Sequence, residues 1–295
     1  DTFGATVVAF GDLTSDGVDD YAVTSSQFGG TTSLAMVFYS GADGSQIGPN
    51  WGLPGTTPNL ANAGDVDGDG VDDWTYRGWN ASGDWVEIRS GRTNATLYAI
   101  PPTPGHPAVP IWVFGIAING FGDVDGDGFN EVGIGSQSYY FPAPGMYTMM
   151  TARPIGVTSF GAGCAFGAAE PPRIVASGKA AIGQDLTVRV SKVEPGRTAA
   201  LLVGLSNAQD GAVTLPHDFT YAGWPGCAQL VSTEFIYWTE TTSYTPGKGT
   251  AGLTVSIPLL PLLAGAVFYT QWAVAHAPGT TPPFGLSKGL SITIQ

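Results

Sequence analysis

One acidic segment occurs three times in register, and it restricts the folds that the first half of the chain can adopt. The copies are GDLTSDGVDDYAV from Gly11, GDVDGDGVDDWTY from Gly64 and GDVDGDGFNEVGI from Gly122. Their first acids (Asp12, Asp65 and Asp123) are 53 and 58 residues apart. A period of this length corresponds to a supersecondary unit rather than a single element. The first half is therefore predicted to be a tandem array of three units.

Short apolar runs flank each acidic segment, for example ATVVAF before the first copy and YAVTSS after it. Two units continue in phase with AMVFYSGADGSQI and WVEIRSGRTNATLYAI. In each, a Ser-Gly pair (Ser40-Gly41 or Ser90-Gly91) separates two further apolar runs, as a hairpin turn does. These two units are each predicted to be a four-stranded antiparallel sheet, which is the composition of a β-propeller blade.

Oxygen-bearing residues alternate along each acidic segment. In the second copy, acids occupy positions 1, 3, 5 and 9, Gly70 at position 6 permits a sharp turn, and Val71 offers a backbone carbonyl at position 7. Five oxygens around one point suit Ca²⁺, which takes six to eight oxygen ligands, better than Mg²⁺. Thr14 replaces an acid in the first copy, so that site is predicted to be the weakest of up to three. The predicted ligands are Asp12, Thr14, Asp16, Val18, Asp20, Asp65, Asp67, Asp69, Val71, Asp73, Asp123, Asp125, Asp127, Phe129 and Glu131.

These segments have two alternative interpretations. The helix–loop–helix calcium motif requires a glutamate at position 12, where this chain has Val23, Tyr76 and Ile134. A single Asp-rich glycine loop can be an ordinary solvated turn. Three copies in register that all keep a closing acid favour metal sites, because carboxylates held this close together repel one another without a cation.

The charge of the protein is concentrated in these segments. The formal net charge is -13, with 24 acidic against 11 basic residues. Residues 1–160 contain 17 of the acids and 4 of the bases, whereas residues 161–295 contain 7 of each. A chain without a basic face is not suited to nucleic acid or to an anionic membrane surface, so neither partner is expected.

In its acidic loops the chain resembles the FG-GAP repeat family, whose repeats form the blades of integrin-α-like β-propellers. The hallmark of this family is a D-x-D-x-D-G-x-x-D loop between the first two strands of a blade. Phe3-Gly4 and Phe114-Gly115 also match the motif for which the family is named. The resemblance covers roughly residues 1–155 and implies structural calcium sites, with ligand binding by other loops. The family closes its ring with about seven blades, and this sequence shows three. Other chains, the C-terminal half or a longer chain are the alternatives for completing the array.

The C-terminal half is predicted to be a separate all-β module. Apolar runs such as LTVRVSKV and AALLVGLS recur between Gly/Pro turns without a period, which is typical of a β-sandwich. The predicted domains are therefore 1–158, the calcium-binding blades, and 159–295, the sandwich. The second resembles C-terminal modules of secreted proteins from environmental bacteria. Its two cysteines, Cys164 and Cys227, suggest one disulfide and a secreted protein, with two buried thiols as the alternative.

The most apolar stretch begins at Ser256 with SIPLLPLLAGAVFYTQWAVA. Pro258, Pro261 and Gln271 interrupt it, so it is not suited to crossing a membrane, and membrane insertion is not expected. The stretch is predicted to form two buried strands and a turn.

No residue pattern points to catalysis. Gly285 to Gly289 matches the nucleophile-elbow pattern around Ser287, but only six residues follow it, too few to supply the acid and the histidine of a triad. The three histidines (His106, His217 and His276) lack zinc-ligand spacing. We therefore expect that the protein is not an enzyme, and a secreted hydrolase is the least favoured alternative.

The expected function is that of an extracellular, calcium-stabilised structural protein that assembles into an oligomer or a filament. Three blades leave ends that need covering, and the terminal runs ATVVAF and GLSITIQ are suited to strand addition between subunits. The alternative is a calcium-dependent adhesin that binds a glycan or a protein, as the eight tryptophans allow.

Overall fold

A computed structural model of the chain shows an all-β protein, which confirms the predicted fold class at this level. The residues it describes are 2–14, 16–26, 33–54, 59–80, 83–101, 112–138, 146–165, 170–245, 248–277, 279 and 283–295. Within these ranges the helices are two short 3-10 turns, η1 (Thr220–Ala222) and η2 (Pro261–Leu263). No helix in these ranges has the length and apolarity that a membrane span requires.

The chain divides into two compact units. The first unit comprises residues 1–66, 71–124 and 129–152, and the second comprises 67–70, 125–128 and 153–295. The tips of the second and third acidic loops thus group with the second unit. The predicted boundary at residues 158 and 159 falls inside a strand of the second unit, Val157–Phe160, because this strand pairs with a strand near the C-terminus.

Three successive antiparallel sheets form the first unit. Each is a meander in which consecutive strands are neighbours, with four strands in the first two sheets and three in the third. The first sheet contains β1 (Thr2–Ala9), β2 (Tyr21–Ser26), β3 (Ser33–Tyr39) and β4 (Gln46–Pro54). The second contains β5 (Leu60–Gly64), β6 (Asp73–Asn80), β7 (Gly83–Arg89) and β8 (Thr96–Ile100). The third contains β9 (Trp112–Gly122), β10 (Glu131–Ser138) and β11 (Met146–Thr151).

Apolar side chains fill the spaces between consecutive sheets. Phe10, Met36 and Phe38 of the first sheet pack with Trp74 and Tyr76 of the second. The opposite face of the second sheet packs against the third in a separate cluster. Alternation along each strand directs successive side chains to opposite faces, which is why the middle sheet can contribute to both clusters.

The Ser-Gly pairs lie in the predicted hairpin turns. Ser40 donates its backbone N–H to the carbonyl of Ser45, and Ser90 donates to Ala95 at the equivalent position. A left-handed residue stands four residues after each serine, Gly44 with φ 73° and Asn94 with φ 59°. Glycine and asparagine are the residue types that adopt this conformation most readily.

Two larger antiparallel sheets and two short hairpins form the second unit. The five-stranded sheet has the order β12-β24-β23-β15-β20, and the four-stranded sheet has the order β13-β14-β22-β21. The strands of the unit are β12 (Val157–Phe160), β13 (Arg173–Gly178), β14 (Asp185–Val193), β15 (Thr198–Gly204), β16 (Gln209–Asp210), β17 (Val213–Thr214), β18 (His217–Asp218), β19 (Ala228–Gln229), β20 (Phe235–Glu240), β21 (Thr242–Thr245), β22 (Lys248–Ser256), β23 (Val267–Ala275) and β24 (Phe284–Thr293). Strands β13 and β24 bring the two sheets into contact.

The two cysteines are joined: Cys164 and Cys227 form a disulfide across 63 residues of sequence. Both are buried, and Leu286 packs against them. Of the two alternatives for this pair, the structure has the disulfide.

Two sequence expectations for the second unit differ from the structure. The stretch from Ser256 contains one long strand, β23, preceded by an exposed turn in which Leu259 and Leu262 face solvent. Its prolines cannot donate backbone hydrogen bonds to a sheet, so the predicted pair of buried strands does not form there. The terminal run GLSITIQ lies mostly in β24, which pairs with β12 on one side and β23 on the other. It therefore offers no free edge to a neighbouring subunit.

Candidate metal centre

Each acidic loop connects the first two strands of its sheet. The loops run from β1 to β2, from β5 to β6 and from β9 to β10. The glycine at position 6 has positive φ in all three loops: 89° at Gly17, 88° at Gly70 and 100° at Gly128. The left-handed conformation that a sharp turn requires at this position is therefore present in every copy.

The second loop brings three carboxylates together. Asp65, Asp67 and Asp73 each place an oxygen within 4.8 Å of the others. Asp67 and Asp73 are buried, and so is Asp69, although Asp69 is not part of this close group. The donors are all carboxylate oxygens, the ligand type that hard divalent cations prefer. This group could hold a metal ion.

The third loop forms a similar group at a more exposed position. Asp123, Asp125 and Asp127 each place an oxygen within 4.8 Å of the others. The N–H of Asp127 also donates to Asp125 at 2.9 Å, as the N–H of Asp69 donates to Asp67 at 3.0 Å in the second loop. The two loops share this hydrogen bond, but the third acid of the close group stands at position 9 in the second loop, Asp73, and at position 5 in the third, Asp127.

The first loop is arranged differently in the part that the structure describes, which omits Ser15. Asp12 accepts the N–H groups of Asp16 and Gly17 at 3.1 and 2.8 Å, and the hydroxyl of Thr14 lies 3.4 Å from the same carboxylate. Asp16 accepts the N–H of Val18. No group of three close acids forms among these described residues.

The closing acid at position 9 fastens the loop in all three copies. Asp20 accepts the N–H of Leu13 at 2.7 Å, Asp73 that of Val66 at 2.7 Å, and Glu131 that of Val124 at 2.8 Å. Asp20 and Asp73 also accept the N–H of Gly41 and Gly91, each at 3.0 Å. These acids therefore have a structural role apart from metal binding, which the spacing of the acids did not reveal.

The predicted carbonyl ligands belong to residues in different surroundings. The side chains of Val71 and Phe129 are buried, whereas that of Val18 is exposed. The buried side chains anchor the second half of their loops in the protein. Coordination by these three carbonyls stays a prediction.

Arginines accompany the two close groups of acids. Within the second unit, Nη1 of Arg189 lies 2.9 Å from Oδ1 of Asp67 and also donates to the carbonyl of Asp67 at 3.0 Å. Arg153 lies 3.3 Å from Asp127. A guanidinium at this distance offsets part of the charge that a cation would neutralise, so it competes with the cation. Sequence reasoning missed both residues, because Arg189 is 122 positions from its partner.

The residues considered for catalysis do not form a catalytic arrangement within the described ranges. Ser287 lies buried inside β24, where its hydroxyl accepts the N–H of Trp272 and donates to the carbonyl of Lys288. A nucleophile elbow requires an exposed serine at a strand-to-helix turn. His217 packs on Phe219, and His106 lies outside the described residues.

The chain was compared with protein-family models and with curated proteins. No protein-family model matches the chain, and no curated protein matches it.

Proposed function

We propose that this chain is a calcium-stabilised structural protein of the extracellular space that assembles with copies of itself. The observation that carries the proposal is the repeated placement of three close carboxylates at the same point of two consecutive sheets. Like charges at this separation destabilise a fold, and a divalent cation turns the repulsion into attraction. The residues Asp65, Asp67 and Asp73 would hold one ion, and Asp123, Asp125 and Asp127 a second.

The assignment of the ion as Ca²⁺ and of the sheets as propeller blades rests on the loop pattern. Alternating acids with a left-handed glycine at position 6 fit the flexible, oxygen-rich coordination of Ca²⁺. Sheets of three or four meandering strands with this loop between their first two strands support an assignment as FG-GAP-type propeller blades. The disulfide supports an oxidising, extracellular location.

Thermal unfolding in the presence and absence of calcium tests the metal sites. An ion that binds only the folded state stabilises it by about 2.7 kcal/mol at a hundred times its dissociation constant. We therefore expect the melting temperature of the first unit to rise with calcium concentration and to fall in EDTA. Asp67→Asn and Asp125→Asn should each reduce the calcium-dependent rise more than Thr14→Ala does.

Two variants sharpen this test. Asp43→Asn removes one negative charge from an exposed hairpin turn and should leave the calcium-dependent rise unchanged. Arg189→Gln removes the guanidinium that competes at Asp67, so it should increase the calcium affinity of the second loop. A melting temperature that is the same in calcium and in EDTA contradicts the proposal.

A second candidate function is adhesion, and a cavity in the second unit favours it. The cavity has a volume of about 340 Å³, and its lining includes Phe219, Trp238 and Phe284. Trp238 is 71% exposed and thus accessible to a ligand. Aromatic side chains at such sites stack on the apolar faces of ligands, sugars among them. Retention on a glycan array that is lost in Trp238→Ala would favour this candidate over the structural one.

A further inference from the structure

The two junctions between consecutive sheets of the first unit use equivalent residues. We name the surface that a sheet turns to the following sheet its forward face, and the opposite surface its rear face. The forward faces comprise Phe10, Met36 and Phe38 in the first sheet and Ala63, Val86 and Ile88 in the second. The rear faces that they contact comprise Leu60, Trp74 and Tyr76 in the second sheet and Ile118, Val132 and Ile134 in the third.

Strand register shows that these sets correspond. Leu60 pairs with Tyr76 in the second sheet as Ile118 pairs with Ile134 in the third. Val7 and Val23 are the equivalent pair in the first sheet.

The forward faces correspond in the same way. Phe38 opposes Ala22, Ile88 opposes Thr75, and Met149 opposes Gly133. Each sheet therefore has one forward and one rear face, and both internal junctions place forward on rear.

In the part of the chain that the structure describes, the forward face of the third sheet has no following sheet of the first unit packed on it. Its residues are Phe121, Tyr147 and Met149, which are 44%, 60% and 48% exposed. A Cβ at Gly133 would lie 2.4 Å from the ring of Phe121 and 2.6 Å from the hydroxyl of Tyr147, so both rings lie over bare backbone. The result is an exposed apolar surface at the position where the first two sheets bury their cores.

Among the described residues, no sheet of the first unit precedes the first one, so the rear face of the first sheet has no such partner. Val7 is 61% exposed, whereas its cross-strand neighbour Val23 and the next valine on this face, Val37, are buried. Tyr21 stacks on Tyr39 with ring centroids 5.6 Å apart, and Phe3, 63% exposed, packs edge-on against the same Tyr39 at 6.3 Å. The side chains named here are all apolar or aromatic, and none of them is charged.

We propose that copies of this chain associate head to tail, with the forward face of the third sheet of one copy packed on the rear face of the first sheet of the next. Forward on rear is the pairing that both internal junctions use, and the described residues of each copy leave one face of each kind without a neighbouring sheet. An unrelated partner could cover one of these faces, whereas a second copy covers both kinds through a contact that the chain already makes twice.

The geometry of such a contact determines which assemblies it forms. A forward face meeting a rear face is a heterologous contact, which closes into a ring if the rotation allows and otherwise propagates. Two copies supply six sheets, a number within the range in which propellers close. The inference rests on the proposed structural role, because it identifies the self-assembly surface for that role.

Sedimentation and light scattering in calcium buffer test the contact. We expect the wild-type protein to form dimers or larger species whose population increases with concentration. Tyr147→Asp on the forward face and Val7→Asp on the rear face each place a carboxylate in the contact, so each should weaken association by at least about tenfold. Leu262→Asp introduces the same charge at a position that is 94% exposed in the second unit, and it should leave association unchanged.

Mixing the two variants distinguishes a heterologous from an isologous contact. Tyr147→Asp retains an intact rear face and Val7→Asp an intact forward face, so an equimolar mixture should form a heterodimer that neither variant forms alone. This recovery also shows that both variants are folded. A wild-type protein that stays monomeric, or a mixture without heterodimers, overturns the inference.

Failure of this inference is distinguishable from failure of the metal sites. A protein that melts at a higher temperature with calcium but sediments only as a monomer overturns the contact and leaves the metal proposal standing. A protein that associates equally in calcium and in EDTA, with no calcium-dependent melting, supports the contact and overturns the metal proposal.

Discussion

At the scale of single residues, Tyr76 makes the stability of the packing between the first two sheets depend on pH. Its ring is buried in their common core, and its hydroxyl donates to Oε2 of Glu87 at 3.1 Å. Burial raises the pKa of Tyr76 to about 12, and the negative charge of Glu87 contributes in the same direction. The fold therefore favours the neutral phenol over the phenolate.

The pH dependence of stability follows from this pKa. In the unfolded chain a tyrosine ionises near pH 10, so the stabilisation from Tyr76 is complete below about pH 10 and is lost as the pH rises toward 12. Tyr76→Phe removes this loss. We expect the free energy of unfolding of the wild type to decrease more steeply with pH than that of the variant between pH 10 and 12.

Chemical denaturation at a series of pH values measures both slopes, and ionisations shared by the two proteins cancel in the difference. At neutral pH the variant should be less stable by about 1 kcal/mol, because the hydrogen bond to Glu87 is lost. Glu87→Gln removes the carboxylate that helps to raise the pKa of Tyr76, so its loss of stability should end at a lower pH and be smaller in total than that of the wild type. Parallel slopes for wild type and Tyr76→Phe would refute this explanation.

The candidate metal site shows which contacts could be predicted from the sequence. The acids of the second loop are close in sequence, so alternation and one left-handed glycine suffice to predict that Asp65, Asp67 and Asp73 approach one another. Arg189 reaches Asp67 only through the fold of the second unit. The backbone hydrogen bonds of Asp73 likewise depend on where the hairpin turn lies, which spacing does not encode.

At the scale of elements, the first and second acidic loops each lie against the Ser-Gly turn of their own sheet. A Cβ added at Gly41 would lie 2.0 Å from the carbonyl oxygen of Asp19, and one at Gly91 would lie 1.9 Å from that of Asp72. The contacting atoms are backbone, which cannot move aside as a flexible side chain can. Glycine is therefore required at both turns by the approach of the loop.

Gly91→Ala tests this packing of turn against loop. The methyl group should push the turn away from the second loop and weaken the hydrogen bond from residue 91 to Asp73. We expect a loss of about 1–3 kcal/mol in the free energy of unfolding, together with weaker calcium binding. Thr93→Ala alters an exposed side chain in the same turn and should change stability by less than about 0.5 kcal/mol. Equal stability of the two variants would show that the turn and the loop are not tightly packed.

Strands were predictable as elements, but their neighbours were not. Alternating apolar residues and turn glycines are local signals, and they located the four strands of each of the first two sheets. The C-terminal run GLSITIQ has the same local signal, yet β24 lies between β12 and β23. Pairing with β12 joins segments more than 120 residues apart, and periodicity within one segment contains no information about such a partner.

At the scale of the whole molecule, the two units have different means of stabilisation. According to the proposal above, the groups of close acids make the stability of the second and third sheets of the first unit dependent on a cation. In the second unit, a disulfide joins Cys164 to Cys227, and Leu286 of β24 packs beside it. Removal of calcium and removal of the disulfide should therefore affect different parts of the chain.

The double variant Cys164→Ala, Cys227→Ala tests this division. Closing a loop of 63 residues restricts the unfolded chain by an amount worth about 4 kcal/mol in the chain-entropy account, so the variant should lose up to this much stability in the second unit. Hydrogen exchange followed by mass spectrometry locates the loss. Peptides from β14, β15 and β23 should exchange faster in the variant, whereas peptides from β6 and β7 should exchange at the wild-type rate. Because reduction of the wild-type protein removes the same covalent link, it should give the same pattern. Faster exchange in β6 and β7 as well would mean that the two units unfold together, which would contradict their separate stabilisation.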